Sequence, residues 1–427
     1  MVAAVPERNR KRSVADILPA LLLGAAFAAV ATACPVHAAP QEAQNAPSIT
    51  VGVWGAAPAF PTGPAVVAST IRQTVRLSLG GEGVSIRLSN EMGQAPLVIE
   101  AAHVALPGTQ KGSIDPASDH ALTFGGRKGI VIPAGGVAIS DVAPVATSVG
   151  QDVVISFYVP RSTGPVATHP LGLATTYVSR GPDASTASTL PNATTTQARL
   201  FLSGVSVVRR GGQAVVALGD SITDGLRSPV DANQRWPDDL SQRLIRAGMA
   251  VSVVNAGISG NRVQHDLPLA ESGPSAVSRF DRDVLSVPGV RTVIIMESIN
   301  DIGHPGAQGL AEQAVSTEDL IAGLQQLVLR AHQHGLRVIG ATLTPFAGTI
   351  FPGYYAPAGE AKRQAVNQWI RTGRAFDGVV DMDAALRDPA HPDHMLPAYD
   401  SGDHLHPNAE GYRHMADAVP LSLLQAP

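Results

Sequence analysis

The stretch AVVALGDSITDG, residues 214–225, decides the fold of this chain. Its first five residues are uncharged, small or aliphatic, which is typical of a strand that is buried on both faces. Gly219 follows at once, and Ser221 comes two residues later in a segment that has the residue types of a tight turn. The pattern predicts a parallel strand whose carboxyl end presents a serine at the edge of a sheet.

Similar apolar segments recur at regular intervals along the rest of the chain. They lie at 250–254, 292–296, 337–343 and 378–381. Helical segments separate them: Pro237 is well placed to open one helix, and Ser316 with Asp319 resembles a capping box at the start of another. Alternating strands and helices predict an α/β domain over residues 213–427, with a parallel sheet between two helical layers.

The part of the chain before this domain has a different periodicity. Runs such as 74–79, 84–89 and 152–159 alternate apolar with polar or small residues, which indicates strands with one buried face. Paired glycines separate these runs as turns. We therefore expect residues 48–180 to form an all-β sandwich or jelly-roll-like domain. Residues 181–198 are rich in Ser, Thr, Ala and Pro, so 181–212 are expected to be a linker and lead-in.

The first 38 residues have the pattern of a secretory signal. Basic residues near the start precede an uncharged apolar run, 17–33, and small residues lead up to Ala38. This order predicts cleavage near Ala38 and a secreted or periplasmic protein with no stable membrane insertion afterwards. A membrane anchor is one alternative. The other is a lipoprotein signal, in which Cys34 would carry the lipid.

Composition excludes several classes of protein. One cysteine among 427 residues rules out a disulfide scaffold and a zinc cage built from cysteines. A formal net charge of −4 gives no basic surface for nucleic acid. A hydrophobic fraction of 44% is normal for a folded globular chain. The sequence does not indicate an oligomeric state.

Polar residues that suit catalysis follow the predicted strands. NAGISGN at 255–261 and ESIND at 297–301 each come after an apolar segment, and DHLHP at 403–407 lies near the carboxyl terminus. The amide of Asn300, at a strand end, is able to donate to a developing oxyanion. A carboxylate three residues before a histidine, as Asp403 stands before His406, is able to fix the tautomer of the imidazole.

These segments, in this order and together with GDSITDG at 219–225, resemble the four conserved blocks of the SGNH hydrolases, also called the GDSL lipase/esterase family. The resemblance covers residues 213 to about 420. It implies a flavodoxin-like three-layer α/β/α hydrolase fold. It also implies hydrolysis of carboxylic esters through an acyl-serine intermediate, with no metal and no organic cofactor.

The resemblance also implies roles for single residues. Ser221 is the expected nucleophile, with His406 as its general base and Asp403 orienting the imidazole. The backbone N–H of Ser221, the backbone N–H of Gly257 and the side-chain amide of Asn300 are the expected donors of the oxyanion hole.

The sequence departs from the family pattern at two positions. Ile222 replaces the usual leucine after the serine, which is a conservative change. Ser298 replaces the glycine that usually stands two residues before the asparagine. The hydroxyl of Ser298 would narrow the pocket or lie near the acyl group, so the resemblance leaves the acyl preference open.

Other readings of the same residues remain open. One alternative is a zinc hydrolase, in which a cluster of histidines and an aspartate near the carboxyl terminus would bind the metal. The cluster consists of His391, His394, Asp403, His404 and His406. This alternative leaves GDSITDG without a role. The β domain could make the chain a non-catalytic polysaccharide-binding protein. The serine site itself would suit a lipase, a short-chain acylhydrolase or an acyltransferase. The expected partner is a small-molecule or polysaccharide ester, with O-acetyl groups on carbohydrates as one candidate.

Overall fold

The structure is a computed structural model, and it describes residues 47–166, 168–266 and 269–425. The expected signal sequence, with Ala38 and Cys34, lies outside the described residues. Within the part of the chain that is described, no helix combines the length and the apolar character that a membrane crossing needs. Two regions follow each other along the described chain, and both belong to the same structural unit, Glu42–Pro427.

The first region is built almost entirely from strands. They are β1 (Ser48–Gly55), β2 (Ser69–Arg76), β3 (Gly83–Ser89), β4 (Leu97–Ile99), β5 (Ala101–Ala105), β6 (His120–Ala121), β7 (Ile130–Ile132), β8 (Val137–Ile139), β9 (Asp152–Val159), β10 (Thr168–His169), β11 (Thr176–Arg180), β12 (Thr194–Thr196), β13 (Arg199–Leu200) and β14 (Leu202–Arg210). A short 3-10 turn covers Pro116–Ser118.

These strands form two main antiparallel sheets. One has the order β12-β11-β2-β9-β5-β6 and the other the order β1-β14-β3-β8, while β10 pairs with β13 and β4 with β7. Alternate residues of both main sheets enter one shared hydrophobic core; Ile71 and Phe157 come from the first sheet, and Val84 and Val205 from the second. The predicted sandwich is confirmed, because two faces of period-two strands bury each other.

The segment expected to be a linker contains three strands of this region. Strand β14 pairs with both β1 and β3, at the centre of the four-stranded sheet. The loop before it is held by the buried guanidinium of Arg72, which donates to the carbonyl oxygens of Ser185, Ala187 and Ser188. Its Ser, Thr and Pro content therefore marks loops between strands rather than a free connection. The antiparallel region runs on to residue 210.

The second region alternates strands with helices, as its sequence predicts. Its strands are β15 (Gln213–Gly219), β16 (Val251–Gly257), β17 (Val290–Met296), β18 (Arg337–Ala341) and β19 (Gly378–Val380). Its helices are α1 (Ser221–Asp224), α2 (Trp236–Arg246), α3 (Ala276–Phe280), α4 (Ile299–Ala307), α5 (Thr317–Gln333), α6 (Pro357–Thr372), α7 (Met382–Leu386) and α8 (Ala409–Ala418). A π-helical turn covers Asp281–Leu285, and 3-10 turns cover Ala270–Ser272, Ala311–Gln313 and Leu421–Leu424.

The five strands form one parallel sheet in the order β16-β15-β17-β18-β19. Helices cover both of its faces. Val215 and Ala217 of β15 pack into a core shared with α2 and α8, whereas Val216 and Leu218 enter a second core with α5 and α6. A strand buried on both sides has no polar face, which explains the unbroken apolar run that predicts it. The predicted three-layer fold is confirmed.

Local signals also set the helix ends. Pro237 lies in the first turn of α2. Ser316 accepts a hydrogen bond from the N–H of Asp319, and Asp319 reaches back to the N–H of Ser316, so the predicted capping box opens α5. Gly335, just after α5, has a φ of 68°, which a glycine tolerates at a helix end.

The strand order reverses between β15 and β17. The chain leaves β15 toward one edge of the sheet, returns, and then adds strands toward the other edge. At such a reversal the loops diverge and leave a crevice beyond the carboxyl ends of the two strands. The residues that follow these strands are Asp220–Ser221 and Glu297–Asn300, so the topology brings the first and third blocks together.

Candidate active site

Ser221 lies on a tight turn at the end of β15. The side chain of Asp220 accepts a hydrogen bond from the N–H of Ile222 at 2.9 Å, which caps the single-turn helix α1. Gly225 ends this helix with a φ of 97°. A side chain at Gly225 would also collide with Arg235, because an added Cβ would lie 2.1 Å from its Cγ. The turn thus fixes the serine at the sheet edge.

Three side chains that the sequence singled out form a continuous chain of hydrogen bonds. The Ser221 Oγ lies 2.9 Å from the His406 Nε2, and the His406 Nδ1 lies 3.0 Å from the Asp403 Oδ2. Because the carboxylate can only accept, Nδ1 carries the proton, and Nε2 accepts from the serine hydroxyl. All three residues are buried. The arrangement matches what a serine needs to lose its proton.

The Asp403 carboxylate receives only N–H donors. Its Oδ1 accepts from the backbone of Leu405 and His406, and its Oδ2 accepts from the His406 ring and from the Nε of Arg227. Burial opposes ionisation of the group, but these hydrogen bonds and the charge interaction with His406 hold the Asp403 pKa well below its usual range. Asp403 is therefore a carboxylate at neutral pH.

Arg227 is a residue that the sequence analysis missed. Its Nε lies 2.8 Å from the Asp403 Oδ2, and its side chain remains about half exposed. Its φ of 79° lies in the left-handed region, which costs a non-glycine residue free energy. It lies 176 positions before Asp403, and no local pattern marks it.

Asn300 is held firmly at the start of α4. Its Nδ2 donates to the carbonyl oxygen of Asn261 at 2.9 Å, and its Oδ1 accepts from the hydroxyl of Tyr354 at 2.7 Å. A carbonyl only accepts, so the two contacts together settle which end of the amide is oxygen. The second hydrogen of Nδ2 remains for another acceptor. Tyr354 is a second residue that the sequence analysis missed.

Gly257 differs from the expectation. Its N–H donates to the Asn255 Oδ1 at 2.8 Å, so it already has an acceptor. A Cβ at this position would lie 2.3 Å from the backbone nitrogen of Asp224. The glycine is thus needed for the close approach of β16 to α1. Gly260, three residues on, has a φ of 80°, and its N–H has no acceptor among the described residues.

Ser298 adopts a backbone conformation that suits glycine. Its φ is 122°, a region that L side chains rarely adopt, so the residue takes the geometry of the glycine that the family pattern has here. The side chain is completely buried. Within the described chain, its hydroxyl has no hydrogen-bond partner. The hydroxyl faces the protein interior, so it does not narrow an open pocket as the sequence suggested.

Three buried carboxyl groups surround this edge of the sheet. Burial raises the pKa of Asp220 and of Asp301 to about 7, and it raises the pKa of Glu297 well above its ordinary value. His304, on α4, is held neutral, since burial and the charge of Arg262 lower its pKa to about 4. Carboxyl groups that hold protons repel a developing oxyanion less than carboxylates would.

Three of the histidines considered as zinc ligands each lie beside an aspartate of their own. His391 lies beside Asp388, His394 beside Asp393 and His404 beside Asp400. Among the residues that the structure describes, no group of three or more His, Cys, Asp or Glu side chains is placed to hold a metal ion. His406 instead faces Ser221.

Comparisons with solved structures find chains that cover about half of this one. A carbohydrate acetylesterase from Sinorhizobium meliloti is 18% identical over 50% of this chain and 100% of its own, with a TM-score of 0.39. The native aryl esterase of M. smegmatis is 18% identical over 48% and 96%, also with a TM-score of 0.39. A GDSL-like lipase from Bacteroides thetaiotaomicron is 19% identical over 50% and 88%, with a TM-score of 0.36.

A search of curated proteins gives no match. The family comparison is more specific: residues 217–414 match the model of the GDSL-like Lipase/Acylhydrolase family. This range includes all of GDSITDG at 219–225, NAGISGN at 255–261, ESIND at 297–301 and DHLHP at 403–407. Residues 217–414, just under half of the chain, therefore form a domain of the GDSL-like lipase/acylhydrolase family of carboxylic ester hydrolases.

Proposed function

We propose that this protein is an exported serine esterase that hydrolyses carboxylic esters through an acyl-serine intermediate at Ser221. One observation carries the proposal: the Ser221 hydroxyl, the His406 imidazole and the Asp403 carboxylate form an unbroken hydrogen-bonded chain, with links of 2.9 Å and 3.0 Å. A serine is a weak nucleophile at neutral pH, and a neutral imidazole within hydrogen-bond distance removes its proton during attack.

The reaction follows in two halves. His406 takes the proton of the Ser221 hydroxyl as its oxygen attacks the ester carbonyl, and it gives that proton to the departing alcohol when the tetrahedral intermediate collapses. A water molecule then attacks the acyl-serine, with His406 again taking the proton. Asp403 keeps the imidazole in the required tautomer and stabilises its protonated form without becoming protonated itself.

The oxyanion needs donors that have no other acceptor. The N–H of Ser221 is in the first turn of α1, where no intrahelical acceptor exists. The free hydrogen of the Asn300 amide is the second candidate. For the third we favour the N–H of Gly260 over that of Gly257, because the latter already donates to Asn255. Each donor contributes about 3 kcal/mol to transition-state stabilisation in comparable enzymes.

For the substrate we propose an acylated carbohydrate, for which O-acetyl groups are the simplest case. The loop that carries Asp403 and His406 also borders a cavity of about 450 Å³, whose walls include His391, His394, Asp400 and His404. Imidazole and carboxylate groups bind sugar hydroxyls by hydrogen bonds. Esters of lipids are the alternative, because Met395 and Pro397 give the same walls apolar surface that an acyl chain would contact.

Export is part of the same proposal. Residues 1–38 have the order of charges and apolar residues typical of a signal, which places the mature enzyme outside the cytoplasm after cleavage near Ala38. Attachment through a lipid on Cys34 is the alternative. The mass and the first residues of the protein recovered from the producing cell distinguish the two forms.

The first test replaces the nucleophile. Ser221→Ala is expected to lower kcat on p-nitrophenyl acetate by about 10⁴-fold or more, since the acyl-enzyme cannot form. Ser286→Ala, at an exposed serine of the same region, serves as the matched control and should retain full activity. Unchanged hydrolysis by the Ser221 variant would refute the nucleophile assignment.

A substrate panel tests the carbohydrate proposal separately. Acetylated xylan and other acetylated glycans are compared with p-nitrophenyl esters from butyrate to laurate, by kcat/KM. We expect the acetylated glycans to rank first. A preference that rises with acyl length would replace the carbohydrate substrate by a lipid one, while the serine mechanism would stand. Product analysis in the presence of a second alcohol separates hydrolysis from acyl transfer.

A further inference from the structure

A histidine of the antiparallel region reaches the turn that carries Ser221. His169 belongs to β10, yet its Nε2 lies 3.0 Å from the Oδ1 of Asp224, the last residue of α1. Its Nδ1 lies 3.0 Å from the carbonyl oxygen of Ala57, which is also in the antiparallel region. Both His169 and Asp224 are buried. The contact thus joins the antiparallel region to α1, the helical turn that begins with Ser221.

The partners of His169 define its charge. A carbonyl oxygen only accepts, so Nδ1 must carry a proton to bond Ala57. A carboxylate also only accepts, so Nε2 must carry a proton to bond Asp224. Burial and the nearby Arg235 oppose a cation here, but the Asp224 carboxylate and the two hydrogen bonds raise the pKa of His169 above its ordinary value. The two acceptors and the raised pKa together favour the imidazolium form of His169.

Asp224 connects this cation to the rest of the site. Its Oδ2 accepts from the backbone N–H of Ser259 at 3.0 Å and from the Ser259 hydroxyl at 2.7 Å. Ser259 lies in the NAGISGN segment, next to Gly260. The backbone N–H of Asp224 donates to the carbonyl oxygen of Asp220, which closes the turn around Ser221. One carboxylate therefore ties together the serine turn, the second block and the antiparallel region.

We propose that His169 is a positioning residue of the active site, which fixes Asp224 and thereby holds the Ser221 turn and the Ser259–Gly260 segment in register with His406. This inference rests on the proposed serine mechanism, and it adds a role for the antiparallel region. That region supplies part of the site and is not only a binding module appended to an independent hydrolase. Its removal would leave the Asp224 carboxylate buried without its cation.

The test uses the full chain and the variant His169→Gln. The amide of glutamine is able to donate to Asp224 but carries no charge and cannot also reach Ala57 as the ring does. We expect kcat on p-nitrophenyl acetate to fall about tenfold with KM changed less than twofold, because a misplaced nucleophile slows attack more than binding. The rate of acylation is measured by stopped flow and divided by the concentration of active sites, which is obtained by titration with a fluorophosphonate. We expect this rate to be the one that falls.

The matched control is His103→Gln. His103 also bonds an aspartate, with its Nδ1 2.9 Å from the Oδ2 of Asp119, and both residues lie within the antiparallel region. It shares the chemistry of the His169 pair without contacting the Ser221 turn. We expect wild-type kcat for this variant. An equal fall of kcat in both variants would show a general effect on the fold and would overturn the proposal.

A pH profile of the unmodified chain provides the second measurement, which needs no variant to fold. The charged groups that face His169 are Asp224 and Arg235. Because Asp224 and the two hydrogen bonds raise its pKa, His169 keeps its proton to a higher pH than a free imidazole does. We expect acylation to slow as that proton is lost with rising pH, and His169→Gln to lack this limb of the profile. Acylation that stays constant from neutral to strongly alkaline pH would overturn the proposal.

The outcome is separable from that of the proposed function. If Ser221→Ala is inactive and His169→Gln is fully active per titrated site, the serine mechanism stands and the positioning role fails. If Ser221→Ala is active, the mechanism itself fails. Combining His169→Gln with Asp224→Asn supplies a further check, because residues that act through each other give a double variant no slower than the slower single variant.

Discussion

The two regions of this molecule bury similar kinds of residue but distribute their polar groups differently. In the antiparallel region, neighbouring strands run in opposite directions, so successive strand ends lie at opposite edges. In the parallel region, every strand of the β16-β15-β17-β18-β19 sheet ends at the same edge. Three of the four sequence blocks therefore lie at one edge of this sheet, where β15, β16 and β17 end. Direction of the strands, rather than composition, concentrates the chemistry.

Buried charges show the same contrast. Arg72, in the antiparallel region, is enclosed by acceptors: the hydroxyl of Ser156 and carbonyl oxygens of several loops all receive its N–H groups. Glu297, at the edge of the parallel sheet, has its nearest cation, Arg279, 3.9 Å away. A buried charge whose donors all have acceptors is typical of a folded interior, whereas carboxyl groups with strongly raised pKa values concentrate at functional sites.

The largest expected effect tests the catalytic edge itself. In Asp403→Asn, the new amide group faces four N–H donors and cannot accept from all of them. The His406 ring is then no longer held in the tautomer that carries its proton on Nδ1. We expect kcat to fall about 10⁴-fold, as when the acid of a comparable triad is neutralised. The measurement is kcat at neutral pH, alongside thermal unfolding.

Asp400→Asn is the control for that variant. Asp400 also bonds a histidine, His404, on the same loop, but this pair does not contact Ser221. We expect its kcat on p-nitrophenyl acetate, which carries no sugar to contact this loop, to stay within tenfold of the wild type. A similar loss in both variants would show that the loop as a whole, and not the Asp403–His406 contact, is required.

A smaller effect is expected at the oxyanion side. Tyr354→Phe removes the hydroxyl that bonds the Asn300 Oδ1 and leaves the ring in place, so the amide is less firmly oriented. We expect kcat to fall about tenfold, or about 1.4 kcal/mol, with little change in KM. Tyr355→Phe is the control, since its hydroxyl bonds Asp393 instead. Equal kcat values for the two variants would contradict a positioning role for Tyr354.

The smallest effect compares backbone strain in the two regions. Ser298→Gly relieves a φ of 122° and removes a buried hydroxyl, and Ala68→Gly relieves a φ of 42° in the antiparallel region. We expect each to raise the free energy of unfolding by about 1 kcal/mol in urea titrations. Both should keep kcat within twofold. A loss of kcat in Ser298→Gly alone would mean that strain at this position aligns the neighbouring Asn300.

Much of the fold could be predicted because it depends on local patterns. Apolar runs gave the five parallel strands, alternation gave the sandwich, and capping residues gave the ends of α2 and α5. The segment at 181–212 shows where this fails. Its composition suits a loop, and only pairing of β14 with β1 and β3, together with the contacts of Arg72, makes it part of the sandwich.

The site divides in the same way. Ser221, Asn300, Asp403 and His406 stand in short motifs, and the sequence alone indicated them. Arg227, Tyr354 and His169 stand in none, and their partners lie 176, 54 and 55 positions away along the chain. A motif records the residues that chemistry requires at fixed spacing. Residues that hold those groups in place have no fixed spacing, since any part of the fold is able to supply them.

The sequence by itself indicated the fold class, the family and the candidate reactive groups, because each depends on residue types at short range. The tertiary structure alone decided which N–H groups remain available, since Gly257 already donates to Asn255 while Gly260 has no acceptor among the described residues. It also decided that the antiparallel region contributes a histidine, His169, that bonds Asp224 at the end of the serine turn. Such facts depend on which distant atoms meet, and folding is what brings them within hydrogen-bond distance.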